Sequence, residues 1–324
     1  MLVLGIEIGG TKLQAVLARN DEFVYSIRGS VNPEDGAAGV LDWMSKNIPH
    51  VILKAKEFGE TVAGIGVGFG GPVDTAAGRV IQSMQVKGWE NFELKKWCEK
   101  QFSIPTFVYN DSSAACWGEY CLGSGKGTNS FFYTNIGSGI GGGFVLNGEL
   151  YDGQGYGAGE LGQRYIPDET AAVSGKEERL EALCSGWGIE KRLRESEAVT
   201  SSKILMELCG GEKQKLNCKM LGQAVKQKDR FAMEFMDHIT NSIGIAISNV
   251  ISLLGPECIA IGGGVSLIGD EFIDRIKAAV EKHEFVSSRG RYKICKCQLD
   301  EKIVPAGVVN LVEHELKKEK RMVS

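Results

Sequence analysis

Apolar positions along the chain fall into two periods. Residues 2–8, with Leu2, Val3, Leu4, Ile6 and Ile8 around a single acid, Glu7, read as a buried strand, and Leu13 to Ala18 reads as a second one across a tight turn at Gly9-Gly10-Thr11-Lys12. Val40, Trp43, Met44, Ile48, Val51, Ile52 and Ala55 recur near helical spacing and predict a helix over 36–58. A glycine-laced strand follows at 62–69; a strand so poor in side chains lets another element or a ligand lie against it. A helix is predicted near 93–101, a strand from Pro105 to Asp111, and a helix over 112–121. Residues 131–146 read as strand, glycine turn, strand. Charged helical segments are predicted at 176–197 and 219–228. The longest helix is predicted at 229–254, with Phe231, Phe235, Ile239, Ile243, Ile247, Val250, Ile251 and Leu254 on one face and Gly255-Pro256 as its stop. A short strand at 259–261, a helix near 270–282 and a terminal helix from Ile303 to Leu316 complete the pattern, the basic stretch 317–321 being a solvated helix end.

Composition narrows this little. The 324 residues suffice for roughly two domains, and 43% hydrophobic with 24% charged residues is ordinary for a globular protein. A net charge of −4 implies no general affinity for nucleic acid or an anionic membrane. No run approaches membrane-spanning length, and the N-terminus, with no basic n-region and an acid inside its apolar stretch, reads as a buried strand rather than a signal peptide. Nine cysteines at irregular spacing give no disulfide framework, and Cys295-Lys296-Cys297 lacks a second pair to complete a metal site, so the expected compartment is a reducing cytoplasm. The anomaly is 43 Gly against 7 Pro, much of the glycine being clustered in short loops where backbone approaches something closely.

Those loops carry the candidate chemistry. Gly9-Gly10-Thr11-Lys12 and Gly137-Ser138-Gly139, the latter preceded by Thr134 and followed by Gly141-Gly142-Gly143, each join two strands, and backbone N–H groups in such turns can wrap a phosphate. One such turn alone is an ordinary hairpin; two copies of one device are hard to explain by turn chemistry. The spacing fits no P-loop, and a glycine turn that enters a strand rather than a helix argues against a Rossmann dinucleotide site. A third glycine site is Gly262-Gly263-Gly264-Val265, after the strand at 259–261. Asp111 lies at a strand-to-helix junction, where a carboxylate is either a helix N-cap or a fixed general base. Glu160, in a glycine-rich loop, carries little weight alone, and Trp89 reads as packing before sugar stacking.

Taken together, Gly9-Gly10-Thr11-Lys12, Asn110-Asp111, Gly137-Ser138-Gly139 with Gly141-Gly142-Gly143, Gly159-Glu160-Leu161-Gly162 and Gly262-Gly263-Gly264-Val265 resemble the ROK family of sugar kinases, of the actin-like ATPase superfamily, in order over nearly the whole chain. The resemblance implies an α/β, two-domain, ribonuclease H-like fold: a smaller domain of residues 1–111 plus 302–324, a larger one of 112–301, and ATP and sugar meeting in the cleft between them. It implies that the two hairpins bind ATP phosphates through Glu7, Gly9, Gly10, Thr11, Lys12, Thr134, Gly137, Ser138 and Gly139, with Gly262, Gly263 and Gly264 near the adenosine. Asp111 would be the base that takes the proton of a sugar hydroxyl, O6 being expected, as it attacks the γ-phosphate; Asn110, Glu160, Gln163, Glu181 and Gly71 would line the sugar pocket. The cofactor is then ATP with its Mg²⁺, and the family implies a homodimer.

Three departures from the family pattern stand out. Glu7 stands where the family usually has Asp. Gln163 stands where many members have His. The family's zinc-binding cysteine motif aligns with Ala172 to Arg179, where its three thiols are absent and only Gly175 persists, so no structural zinc is expected. The leading expectation is an ATP-dependent hexose kinase with glucose the default sugar, and N-acetylmannosamine, N-acetylglucosamine or fructose as rivals. A sugar-sensing repressor of the same family would carry a helix-turn-helix ahead of the first strand, and that strand begins here at the first residue. A non-catalytic actin-like scaffold leaves Asn110-Asp111 with Glu160 and Glu181 unexplained.

Overall fold

The computed structural model describes residues 1–169, 175–269 and 271–323. In chain order the elements are β1 Leu2–Ile8, β2 Lys12–Arg19, β3 Glu22–Ser30, α1 Gly36–Glu57, β4 Val62–Phe69, β5 Val73–Asp74, β6 Arg79–Val80, α2 Leu94–Phe102, β7 Thr106–Asn110 and α3 Asp111–Leu122. There follow β8 Ser130–Ile136, β9 Ile140–Leu146, β10 Glu149–Tyr151, β11 Tyr165–Pro167, β12 Glu177–Arg179, α4 Leu180–Cys184, α5 Gly186–Glu195, α6 Lys203–Leu208, α7 Cys218–Lys226 and α8 Arg230–Leu254. The chain ends with β13 Cys258–Gly262, α9 Glu271–His283, β14 Lys293–Lys296 and α10 Ile303–Val323.

Two compact units emerge. The first holds residues 1–126, 143–158 and 298–324; the second holds 127–142 and 159–297. The first unit thus runs past Asp111 through α3, where the sequence reading set a boundary, because α3 packs closely on α10: a Cβ on Gly118 would lie 2.7 Å from the Ile303 carbonyl oxygen.

Two five-stranded sheets share one strand pattern. One sheet runs β3-β2-β1-β4-β7 and the other β10-β9-β8-β13-β14. In the first, β1 pairs antiparallel with β2 and parallel with β4, and β4 pairs parallel with β7. In the other, β13 pairs parallel with both β8 and β14. The two glycine turns predicted from sequence connect β1 to β2 and β8 to β9, the corresponding pairs of the two sheets.

Alternation along β1 and β2 sorts their side chains to two faces of the first sheet. Leu2, Leu4, Ile6, Leu13, Ala15 and Leu17 pack with Val40, Met44, Ile48 and Val51 of α1 in one core cluster, while Val3, Val16 and Ala18 pack with Val309 and Val312 of α10 in another. The glycines of β4 answer the question their pattern posed. A Cβ on Gly66 would come within 2.7 Å of the Val308 carbonyl oxygen and one on Gly68 within 2.6 Å of the Val304 side chain, so the strand is bare because α10 lies against it. Within the second unit, α8 starts at an Asp229 cap, whose carboxylate accepts the Ala232 amide at 2.9 Å, and stops at Gly255 with φ +55°. Its Ile239, Ile243, Ile247 and Ile251 are buried, as the spacing predicted.

Some elements differ from the sequence reading. Residues 176–197 are not one helical segment: Glu177–Arg179 pairs as a strand with Tyr165–Pro167, and Ser185 interrupts the helix by capping α5, its hydroxyl accepting the Gly188 amide at 3.1 Å. Strand β3 lies at the sheet edge with its residues exposed or half-buried, Tyr25 and Ile27 being only partly covered against the first core cluster, so its apolar signal in the sequence is weak. Trp89 is a packing residue, fully buried edge-on to Phe69 and Phe92 at 5.0 and 5.3 Å between ring centres. Among the described residues no helix is long and apolar enough to cross a membrane.

Candidate functional site

The parallel pairing of β1, β4 and β7 brings their carboxyl ends to one edge of the sheet, with Ile8 beside Phe69 and Phe69 beside Asn110. Ligands of open α/β sheets bind outside such ends. Here Gly70 donates its amide to the Ile8 carbonyl at 2.9 Å, and Asn110 Nδ2 donates to the Gly71 carbonyl at 3.0 Å. The Asn110 side chain also accepts the amides of Ser112 and Ser113 at 2.9 and 3.1 Å, which makes it the N-cap of α3. Its carboxamide has one N–H left to offer.

Asp111 is therefore not the cap. It is the first residue of α3, half-buried, and its carboxylate lies beside Gly70, where a Cβ would stand 3.4 Å from Oδ2. Burial pushes its pKa up to about 6; hydrogen bonds from Ser112, including its hydroxyl at 3.3 Å to Oδ1, act against this, and the charge of Glu7 adds to it. A carboxylate held near neutrality, with one oxygen toward the strand ends, has the properties of a general base.

Glu7, at the end of β1, is also pushed up by burial, and Lys12 pulls it down. Lys12 Nζ stands 3.1 Å from Oε2, yet that buried oxygen has no aligned hydrogen bond. The turn between them is closed by the Gly9 amide on the Lys12 carbonyl at 3.0 Å, and Thr11 is exposed at its tip. The Gln85 side chain lies against Gly10, a neighbour that nothing in the sequence announced.

In the second unit, the turn between β8 and β9 is closed by the Gly137 amide on the Gly139 carbonyl at 2.9 Å, leaving Ser138 exposed at its tip. Thr134 faces inward instead: it is fully buried, and its hydroxyl donates to the Gly141 carbonyl at 2.8 Å, which fixes the hairpin. The Gly186 amide, at the start of α5, donates to the Gly137 carbonyl at 2.7 Å, and a Cβ there would meet Val265 at 3.7 Å. Gly263 has φ +85° and packs on the backbone of Ile136, an approach only glycine permits. Gly262 is buried beside the Tyr133 hydroxyl, while Gly264 is exposed with open space around it. The structure thus gathers 137–139, 186 and 262–265 into one glycine-lined niche.

The remaining predicted sugar residues of the second unit sit on its flank. Glu160 and Gln163 are exposed on one short turn, with the Gln163 amide on the Glu160 carbonyl at 3.1 Å, and Gly162 packs against the backbone of Ile140. Glu181 is committed in part: its Oε2 accepts the Ile140 amide at 2.8 Å and occupies the side of Gly139 where a Cβ would fall 2.6 Å away. Its other oxygen is what it has left for a ligand. Of the segment aligned with a zinc motif, 172–174 lie outside the described residues; among the described residues no three His, Cys, Asp or Glu are placed to share a metal.

Comparison with known proteins follows the same residues. The family model described as ROK family matches residues 3–315. A glucokinase of Halalkalibacterium halodurans is 30% identical over 97% of this chain and 97% of its own length. A xylose repressor of Caldicellulosiruptor bescii is 21% identical over 96% of this chain and 77% of its own. Among solved structures, a ROK family glucokinase from Streptomyces griseus in complex with glucose and AMPPNP superposes with a TM-score of 0.78 at 26% identity, covering 96% of this chain and 99% of that one. These likenesses assign the actin-like ATPase fold and support sugar kinase activity.

Proposed function

Since the chain belongs to the ROK family, we propose that it is an ATP-dependent hexose kinase that phosphorylates O6 of glucose with Asp111 as general base. The observation that carries this reading is the carboxylate of Asp111, released from capping by Asn110 and raised to about 6 by burial. Asp111 Oδ2 takes the proton of the sugar hydroxyl as its oxygen attacks the γ-phosphorus and ADP leaves. Phosphoryl transfer needs alignment and charge neutralisation above all, and a placed base adds roughly 10²–10⁴-fold. The spare N–H of Asn110 donates to a sugar hydroxyl, Gly71 lines that pocket, and Glu160, Gln163 and the free oxygen of Glu181 serve the remaining hydroxyls.

The turns Gly9–Lys12 and Gly137–Gly139 give backbone N–H groups to the phosphates, with Lys12 adding positive charge, and Gly264 with Val265 borders the nucleoside. Mg²⁺ arriving with ATP would neutralise phosphate charge. Glu7, whose buried Oε2 has no aligned donor although Lys12 Nζ stands 3.1 Å away, would supply the hard oxygen to hold such an ion or its water. A glucokinase relative at 30% identity and a superposable glucokinase with glucose and a nucleotide analogue support glucose as the first sugar to test. Incubation with Mg-ATP and glucose, mannose, fructose, N-acetylmannosamine and N-acetylglucosamine in turn, with the products resolved by phosphorus NMR, tests it. Glucose 6-phosphate as the fastest-formed product supports the proposal; faster turnover of an N-acetylated sugar or fructose overturns the substrate, and no phosphosugar at all overturns the activity.

A further inference from the structure

One buried acid has no part in the reaction described above. Glu119, two turns along α3 from Asp111, is completely buried, where an unsatisfied carboxylate would be costly. Its oxygens are well supplied. Oε1 accepts the Ser124 amide at 2.9 Å, the Ser124 hydroxyl at 2.8 Å and the Gln298 amide at 2.8 Å, and Oε2 accepts the Leu299 amide at 3.2 Å. Its backbone carbonyl accepts the amides of Gly123 and Gly125 at 3.0 and 3.1 Å.

The donors matter for where they sit in the chain. The chain passes between its units after Lys126, Gly142, Ala158 and Cys297. Ser124 precedes the first of these crossings and Gln298 follows the last, so one side chain ties both to α3. A third crossing also rests on this helix, since a Cβ on Gly143 would come within 2.7 Å of Cys116 Cβ and 3.3 Å of Ser113 Cα. Stability alone would not require the same carboxylate to hold segments 174 residues apart that both lead out of the unit.

We propose that Glu119 is a positioning residue, the clasp that fixes two of the chain's crossings between its units to the helix that begins at Asp111. Displacement at either crossing is then passed to α3 as a rigid body, and the base keeps its alignment through turnover. The part of this that concerns turnover rests on the kinase reading; the clasp itself does not.

Glu119→Gln tests it. The substitution keeps size but turns one oxygen into an N–H donor facing backbone N–H donors: in the place of Oε1 it loses the bonds from both segments, in the place of Oε2 the bond from Leu299. Amide hydrogen exchange should speed up about tenfold or more at 298–300 in either orientation, and at 123–126 as well where the donor replaces Oε1, with exchange in β1 and β4 unchanged. In the same variant kcat should fall about tenfold while the Kd for glucose, measured by tryptophan fluorescence without nucleotide, stays within about twofold. Ser124→Ala, which removes a single hydroxyl, should show the same pattern more weakly, and stands in if Glu119→Gln does not fold. Unchanged exchange at both segments overturns the clasp, as does a uniform rise across the protein. Fast local exchange with wild-type kcat per folded molecule leaves Glu119 merely structural and overturns the positioning role. Were the wild type to phosphorylate no hexose, the kinase reading would fail and the exchange arm would still decide the clasp.

Discussion

Asn110 caps helix α3 and leaves Asp111 free of that duty: the carboxamide oxygen takes the amides of Ser112 and Ser113, and the neighbouring carboxylate is turned to Gly70. The two roles that compete for Asp111 in the sequence are thereby divided between adjacent residues. Asn110→Ala should lower stability by about 1 kcal/mol through loss of the cap and raise the KM for sugar. Asp111→Ala should cost no cap energy. Denaturant titration of the two variants beside the wild type checks this; equal destabilisation in both would contradict it.

The pKa of Asp111 gives a pH dependence with a definite sign. The base works ionised, so kcat/KM of the free enzyme should fall with a limb near 6 as pH drops. Stability runs the other way for this group. Its folded pKa lies above the unfolded value of 3.8, so below about 4 both states hold the proton, and between about 4 and 6 the folded state loses ground. Above 6 the folded protein carries the full burden of an ionised buried acid. Asp111→Asn should therefore raise stability at pH 7.5 by roughly 1–3 kcal/mol, and the gain should vanish below pH 4. A thermal melt series across pH reads both limbs; a variant less stable than wild type at pH 7.5 contradicts the assignment.

Gly66 and Gly68 are bare because α10 lies on them. Gly66→Ala should destabilise the protein by about 1–3 kcal/mol through overpacking, with the pH limb of any surviving activity unmoved. The midpoint of urea unfolding measures it, and a neutral substitution would show that α10 does not press on β4.

How much of this was legible follows from what each signal encodes. Both glycine hairpins, α8 with its Gly255 stop, and the strand-to-helix junction at Asp111 are local patterns of period and turn chemistry, and they read directly. What was hidden depends on neighbours distant in sequence. The bareness of β4 is explained by α10, more than 200 residues on. That the Thr134 hydroxyl goes to the Gly141 carbonyl, and that one Glu181 oxygen goes to the Ile140 amide, has no local signal. Gln85 at Gly10 and the four bonds into Glu119 have no local signature at all.

Glu181 and the turn it supports give a separable prediction. Glu181→Gln keeps the acceptor for the Ile140 amide if its oxygen takes that place, so KM for ATP should change less than about threefold. Glu181→Ala removes the bond and should raise KM for ATP about tenfold through a loosened turn at 137–139. Steady-state kinetics with ATP varied at saturating sugar distinguishes them; identical values for both variants would mean the carboxylate does not support the turn.

The central claim is that Asp111 moves the proton that lets a sugar hydroxyl attack ATP. Single-turnover transfer of labelled γ-phosphate to glucose, with enzyme in excess and both ligands saturating, measures that step apart from binding and release. Asp111→Asn, folded and binding glucose as the wild type does, should transfer at least about 100-fold more slowly. Transfer within a few-fold of the wild-type rate would contradict the account.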